Sequence, residues 1–137
     1  MNYLLDTSVY SQVLKREPLN SVISHWKKIP DERIFISIIC ELEVLQGLEM
    51  KNSERLWGMY KSVLEHKFSI INLDILIAKI YAKLIAELKS KGRTVSQFNL
   101  LIASTAISKN LTLATCNYKD FKDISGLKVE DWSINQY

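Results

Sequence analysis

The sequence predicts an α/β fold with a central, mainly parallel sheet of four to five strands flanked by helices. Short apolar runs rich in β-branched residues recur along the chain, and a segment with helical spacing of apolar residues follows each of them. This alternation is typical of parallel strands joined by right-handed crossovers. With 137 residues, 47% of them hydrophobic and 24% charged, the chain is predicted to form a single domain over residues 1–137.

The first half of the chain predicts two strand–helix units. The run NYLL is a first strand, and the polar residues DTS after it can close that strand and cap a helix that Pro18 ends. A further helix ends at Pro30, and the run RIFIS is a second, buried strand. Ser37 can cap the apolar helix IICELEVLQGLEM, and residues 53–66 form another helix.

The second half continues the same pattern. The run FSIINL is a third strand, followed by a long amphipathic helix from Asp74 to a cap at Gly92. The segment NLLIASTAISKN predicts a helix that opens at Asn99, and LTLAT after it is a fourth strand. The run LKVED predicts a short fifth strand at the sheet edge.

Composition predicts a cytoplasmic protein with no membrane partner. The formal net charge of +3 is compatible with an anionic partner but does not require one. Cys40 and Cys116 both lie in apolar runs, as buried thiols of a reducing compartment do. The N-terminus does not resemble a signal peptide, and no apolar run reaches the roughly 20 residues that span a bilayer.

Polar residues lie where the predicted strands end, which is where parallel α/β sheets bind ligands. Asp6 follows the first strand, Asn117 follows the fourth, and Asn99 opens the helix between the third and fourth. Glu43 lies about one and a half turns into the helix after the second strand. Converging carboxylates repel one another unless a cation lies among them, and oxygen ligands suit Mg²⁺ or Mn²⁺. The sequence therefore predicts a metal site with Asp6, Glu43 and Asn99 as ligands.

Each of these residues also has an ordinary structural interpretation. Asp6 can be a helix cap, and Asn99 and Asn117 can be a cap and a turn residue. Glu43 can be a solvated helix residue. Glu41 lies roughly 160° around the same helix, so only one of the two glutamates needs to point inward.

Taken together, these stretches resemble the four motifs of the PIN-domain family, and specifically the VapC-type toxins of bacterial toxin–antitoxin pairs. The stretch LLDTSV resembles the opening strand with its metal-binding Asp6, and ISIICELEVLQG resembles the second motif. In that motif the acid stands four residues before a Gly, which selects Glu43. The stretch FNLLIASTAISKNLTLATCNYKDF resembles the third and fourth motifs, with Asn99 and Asn117 at the motif positions. The resemblance covers nearly the whole chain.

The resemblance implies an endoribonuclease that uses Mg²⁺, or Mn²⁺ as a substitute, to activate water against an RNA phosphodiester. Asp6, Glu43, Asn99 and Asn117 would form the catalytic set. Several neighbouring residues would contact and orient this set, namely Thr7, Ser8, Gln46, Thr115 and Asp120. Basic residues that flank the cleft in sequence would hold the RNA backbone, namely Lys15, Arg16, Lys91 and Arg93. The implied partners are RNA, a second copy of the chain and a VapB-like antitoxin, with Trp26, Trp57, Met59 and Tyr60 as candidate interface residues.

Asn99 departs from the family pattern, which has Asp at this position. An amide is nearly isosteric with a carboxylate but carries no charge. One charge pair at about 4 Å is worth about 4 kcal/mol at a surface-like dielectric, so metal affinity is expected to fall while the fold survives. The residue is either a natural variant or a deliberate inactivating substitution. The alternative function is a non-catalytic PIN-like module that binds RNA or protein.

Overall fold

The computed structural model describes residues 1–134, in which five parallel strands form one sheet flanked by helices. The spatial order is β3-β2-β1-β4-β5, and every neighbouring pair is parallel. The strands are β1 (Tyr3–Leu5), β2 (Ile34–Ser37), β3 (Ser69–Ile71), β4 (Thr112–Thr115) and β5 (Val129–Asp131). The predicted α/β class and the short fifth strand at the edge are both confirmed.

Seven α-helices lie among the described residues. They are α1 (Thr7–Tyr10), α2 (Asn20–Lys28), α3 (Ile38–Lys51), α4 (Glu54–Met59), α5 (Ile75–Ser90), α6 (Gln97–Ser108) and α7 (Tyr118–Phe121). α1 continues as a 3-10 turn over Ser11–Leu14, and α4 continues as a π-helical turn over Tyr60–Leu64. The chain leaves α5 through Gly92, whose φ of 66° is favourable for glycine and explains the predicted cap.

The sheet separates two apolar cores because side chains alternate across each strand. Leu5 and Ala114 belong to the core beneath α1 to α4, whereas Leu4 and Leu113 belong to the core beneath α5 and α6. All four side chains are fully buried, so β1 and β4 form the interior of the sheet. Leu5 pairs in register with Ala114, and this pairing places the residues that follow the two strands side by side.

Two of the aromatic residues predicted at an interface are in the core instead. Trp26 is 8% exposed and Tyr60 is 4% exposed, and both belong to the core beneath α1 to α4. Trp57 and Met59 are half-buried. The prediction of surface positions for Trp26 and Tyr60 was wrong because Trp26 packs against Phe68, and Tyr60, in the π-helical turn after α4, packs into the same core. Cys40 and Cys116 are free thiols, and no helix of residues 1–134 combines the length and apolarity needed to cross a membrane.

Candidate active site

Asp6 is a buried carboxylate at the junction of β1 and α1. It is 3% exposed, and its Oδ1 accepts hydrogen bonds from the Ser8 hydroxyl and, at 3.2 Å, from the Val9 N–H. The residue therefore does cap α1, as the ordinary structural interpretation proposed. The cap does not use Oδ2, which instead accepts a 2.7 Å hydrogen bond from the Thr115 hydroxyl at the end of β4. Asp6 thus joins two strands as well as starting a helix.

Hydroxyl and backbone groups from the end of β4 fix the orientation of this carboxylate. The Thr115 hydroxyl donates to Asp6 and accepts from the Asn117 N–H at 2.9 Å. The Ser8 hydroxyl likewise donates to Asp6 and accepts from the Cys116 N–H at 3.0 Å. Each hydroxyl has a single proton and accepts from a backbone N–H, so that proton is the one donated to Asp6. The predicted neighbours Ser8 and Thr115 therefore both contact Asp6.

Glu43 is held from α1 by Thr7, the residue that follows Asp6. The Thr7 hydroxyl donates a 2.6 Å hydrogen bond to Glu43 Oε1, which joins α1 to α3. Glu43 is half-buried, while Glu41 is only 6% exposed and accepts a 3.1 Å hydrogen bond from the Tyr10 hydroxyl. Both glutamates are therefore drawn toward the protein, because α3 has the sheet on one side and α1 on another. The burial of Glu41 was not predicted from the sequence.

The site carries negative charge that no cationic side chain neutralises. No salt bridge within residues 1–134 reaches Asp6 or Glu43. Burial raises the pKa of Asp6, and the hydrogen bonds from Ser8 and Thr115 oppose that shift only in part. Burial and the nearby Asp6 charge also raise the pKa of the Cys116 thiol. A buried carboxylate in this state would gain stability from an added cation.

The donor set suits a hard divalent cation. Asp6 and Glu43 offer only oxygen, and Glu43 Oε2 and the second lone pair of Asp6 Oδ2 accept no hydrogen bond from residues 1–134. Within the same residues, no group of three His, Cys, Asp or Glu side chains is arranged to hold a metal ion. Two carboxylates alone do not form such a group, and Asn99 cannot supply the third. The residues thus fit the predicted cation but provide an incomplete set of charges.

Asn99 is the third residue of α6 and does not open the helix as predicted. Ser96 is the cap, and its hydroxyl accepts a 3.2 Å hydrogen bond from the Asn99 N–H. The expected start was wrong because the helix recruits its cap from the polar stretch RTVSQ before the apolar run. The Asn99 side chain therefore does not cap the helix. Its amide makes no hydrogen bond with another residue of 1–134, and it lines a cavity of about 260 Å³ with Arg93, Ser96 and Asp120.

The remaining predicted residues fall into separate surroundings. Lys15 and Arg16 line a cavity of about 500 Å³ together with Thr7 and Glu43. Arg93 forms a 2.8 Å salt bridge with Asp123, and Lys91 forms a 3.2 Å salt bridge with Glu87.

Three further residues predicted at the site are exposed to solvent. Asn117 and Asp120 are exposed at the start of α7, and Gln46 is exposed on α3. Lys51 and Arg55 also line the cavity beside Glu43, and the sequence analysis did not name them. Lys51 follows Glu43 by eight residues on the same helix, and this spacing could have predicted that the two side chains share a face.

The chain is similar in sequence and in fold to known proteins. Residues 3–127 match the PIN domain family. Ribonuclease VapC2 of Rickettsia felis is 30% identical over 132 residues, covering 96% of this chain and 98% of the relative. The tRNA(fMet)-specific endonuclease VapC of Shigella flexneri is 26% identical over 134 residues, covering 97% and 99%. The fold is similar to the crystal structure of VapBC2 from Rickettsia felis bound to a DNA fragment from their promoter, with a TM-score of 0.86, 31% identity and coverage of 96% and 99%.

Proposed function

The chain belongs to the PIN domain family, and on this premise we propose that it is a VapC-type endoribonuclease, the toxin of a toxin–antitoxin pair. Relatives that are similar over almost their full length are named ribonuclease or endonuclease VapC. We further propose that residues 1–137 act as one domain. The substrate class is RNA, and the name of the Shigella relative makes tRNA the first substrate to test.

The observation that carries the proposal is the state of Asp6. A carboxylate that is 3% exposed, and that no lysine, arginine or histidine of residues 1–134 neutralises, costs stability. Two hydroxyls and a backbone N–H nevertheless hold it in one orientation. A helix cap alone does not need this arrangement, because an exposed Asp or Ser caps equally well. The arrangement is what a cation-dependent active site requires.

Asp6 and Glu43 would hold a divalent cation, with Mg²⁺ as the expected ion and Mn²⁺ as a substitute. When bound, the ion would lower the pKa of water and stabilise charge on the phosphate and the leaving oxygen. The Thr7 hydroxyl holds Glu43 from the residue next to Asp6, and the Ser8 and Thr115 hydroxyls fix the Asp6 plane. Asn117 and Asp120 would contact the same centre from the start of α7. Burial of Asp6 at the end of β1 and the hydrogen bond from Thr7 to Glu43 would keep the two carboxylates in place before substrate arrives.

Asn99 weakens this centre in the chain as written. The amide offers one acceptor oxygen and no charge, so the cation would keep only two firm carboxylates. Looser binding misplaces the attacking water, and a displacement of about 1 Å costs about a hundredfold in rate. We therefore propose that the chain as written is almost inactive. Replacing Asn99 by Asp would restore the activity.

The partner would be a VapB-like antitoxin, and the toxin itself would form a homodimer. A structure similar to this chain over 96% of its length is a VapBC2 complex. Met50, Ile75 and Leu76 are more than half exposed and provide apolar surface for such contacts. Co-expression with the neighbouring reading frame is expected to give a complex that survives purification. Failure to recover any complex would count against the toxin assignment.

The deciding experiment compares RNA cleavage by three proteins: the chain as written, Asn99→Asp, and Asn99→Asp combined with Asp6→Asn. Only Asn99→Asp is expected to cleave tRNA with Mg²⁺, and EDTA is expected to stop it. Strong Mg²⁺-dependent cleavage by the chain as written would refute the account of Asn99. Absence of cleavage by Asn99→Asp on tRNA, ribosomal RNA and messenger RNA would favour the non-catalytic binding module.

A further inference from the structure

A cavity of about 500 Å³ opens beside Glu43 and is not needed to explain the carboxylate site. α1 and its 3-10 turn form one side, and α3 and α4 form the other. Its floor is apolar, because four aliphatic side chains line it, namely Leu14, Val44, Leu48 and Leu56. Val44 and Leu48 are buried in the core below, so the floor is part of the packed interior.

The rim of this cavity is strongly basic. Four cationic side chains line it, namely Lys15, Arg16, Lys51 and Arg55, and all four are exposed. None of them forms a salt bridge with a carboxylate of residues 1–134. By contrast, Lys91 and Arg93 near α5 are each paired with an acid. Glu43 is the single acidic residue in the lining, so the rim retains an excess of positive charge for an external anion.

We propose that this cavity is a nucleotide subsite for single-stranded RNA, with the base on the aliphatic floor and the flanking phosphates on the basic rim. The inference rests on the proposed ribonuclease function and adds to it the place where a neighbour of the cleaved phosphodiester binds. Proteins recognise unpaired nucleotides by combining an apolar surface for the base with cations along the backbone. Thr7 and Glu43 line the same cavity, which connects the subsite directly to the reacting centre.

An RNA strand fits this lining better than a protein segment does. An apolar peptide would fill the floor but would leave four cations without counter-charges. A nucleotide supplies an aromatic base and anionic phosphates on opposite sides of one small unit. The apolar floor therefore suits the base, and the cationic rim suits the phosphates.

Gly47 offers a way to fill the cavity without disturbing the fold. It lines the cavity from α3, and a Cβ added there meets no atom within 4 Å. Gly47→Leu would place its side chain in the space assigned to the base. Gly58 in α4 is the matched control, because a Cβ there also meets nothing within 4 Å and the residue does not line the cavity. Leucine favours helix over glycine, so both variants are expected to fold and to melt no lower than the parent.

The experiment measures RNA binding in EDTA, which separates binding from cleavage. The probe is a fluorescein-labelled pool of random single-stranded RNA about twelve nucleotides long, followed by anisotropy. Gly47→Leu is expected to weaken binding by about tenfold or more, whereas Gly58→Leu binds like the parent. Lys51→Ala with Arg55→Ala is expected to reduce the slope of log affinity against log salt by about 0.7 for each lost phosphate contact. Lys61→Ala, an exposed lysine outside the cavity, leaves the slope unchanged.

The outcomes separate the subsite from the proposed function. If the parent binds RNA and Gly47→Leu and the double charge variant bind it equally well, the subsite is refuted and the ribonuclease proposal stands. If Asn99→Asp neither binds nor cleaves RNA, the ribonuclease proposal fails and the subsite with it. If Gly47→Leu keeps RNA binding but no longer co-purifies with the antitoxin, the cavity belongs to the protein partner and the nucleotide assignment is overturned.

Discussion

The two groups of residues proposed for the active site have different physical surroundings. The Asp6 wall, comprising Asp6, Thr7, Ser8, Glu43 and Thr115, contains buried or half-buried side chains joined by hydrogen bonds of 2.5 to 2.7 Å. The Asn99 wall, comprising Arg93, Ser96, Asn99, Lys119 and Asp120, is exposed apart from Asn99, which is half-buried. The first wall lies at the ends of β1 and β4 and on α3, whereas the second comprises residues just before α6, its first turn and α7.

This difference teaches which positions tolerate chemical change. On the Asp6 wall, the Thr115 hydroxyl holds Asp6 from another strand, so removing this hydrogen bond disturbs orientation and stability together. On the Asn99 wall, the side chain at the motif position has no partner within residues 1–134, so its charge can change with little structural cost. A change of side chain at position 99 therefore leaves the fold intact, whereas one at Thr115 costs stability.

The largest effect is expected for Asp6→Asn in the Asn99→Asp protein. Cleavage should fall by about a hundredfold or more, because the variant removes one of the firm carboxylates. Stability should not fall with it. Burial raises the pKa of Asp6, so the folded state binds its proton more tightly than the unfolded state does. The parent thus loses stability as pH rises from the unfolded to the folded pKa of Asp6, and remains destabilised above both.

Melting temperatures in EDTA between pH 3 and 7 would test whether ionised Asp6 destabilises the folded protein. The advantage of Asp6→Asn over its parent should grow with pH across the titration of Asp6, and added Mg²⁺ should stabilise the parent alone. A variant that melts well below its parent at pH 7, or that responds to Mg²⁺, would show that Asp6 serves the fold rather than a cation.

A second large effect is expected for Thr115→Val. The change removes the 2.7 Å hydrogen bond to Asp6 and leaves the Asn117 N–H without its acceptor. The free energy of unfolding should fall by about 1–3 kcal/mol, and cleavage by Asn99→Asp should fall with it. Thr112→Val, at the start of the same strand, is the control that keeps the Asp6 contact. Equal losses of stability and cleavage in the two variants would show that any change in β4, not the Asp6 contact, causes the effect.

A smaller effect is expected for Thr7→Val, which frees Glu43 from its 2.6 Å hydrogen bond. We expect kcat of the Asn99→Asp protein to fall by about tenfold with little change in melting temperature, since Thr7 is half-buried. Thr7→Ser restores the hydroxyl and should recover the rate. Lack of recovery would mean that the methyl group, not the hydrogen bond, positions Glu43.

The smallest effect is expected on the Asn99 wall, for Ser96→Ala. Loss of the cap on α6 should cost about 1 kcal/mol of stability, as for other Ser caps. Urea denaturation would measure it, with Ser53→Ala at the start of α4 as the control cap. A cost as large as that of Thr115→Val would contradict the contrast between the two walls.

Local patterns in the sequence determined the elements and the order in which polar residues follow them. Alternating apolar runs predicted all five strands, and the acid after the first strand marked Asp6. The resemblance to the second family motif selected Glu43 over Glu41, and in the structure the Thr7 hydroxyl donates to Glu43. Such features depend on neighbours within a few residues, which is why they can be predicted from one chain.

Only the tertiary structure decided which groups from distant elements meet. The 160° separation of Glu41 and Glu43 suggested that one of them faces solvent. In the structure the Tyr10 hydroxyl donates to Glu41 and the Thr7 hydroxyl donates to Glu43, because α1 packs across α3. Trp26 is buried for a similar reason, since α2 turns it toward Phe68. Helical periodicity gives the angle between two side chains but not the partner each one meets. Burial and pairing depend on contacts between residues that are far apart in sequence, and those contacts exist only once the sheet and its helices have assembled.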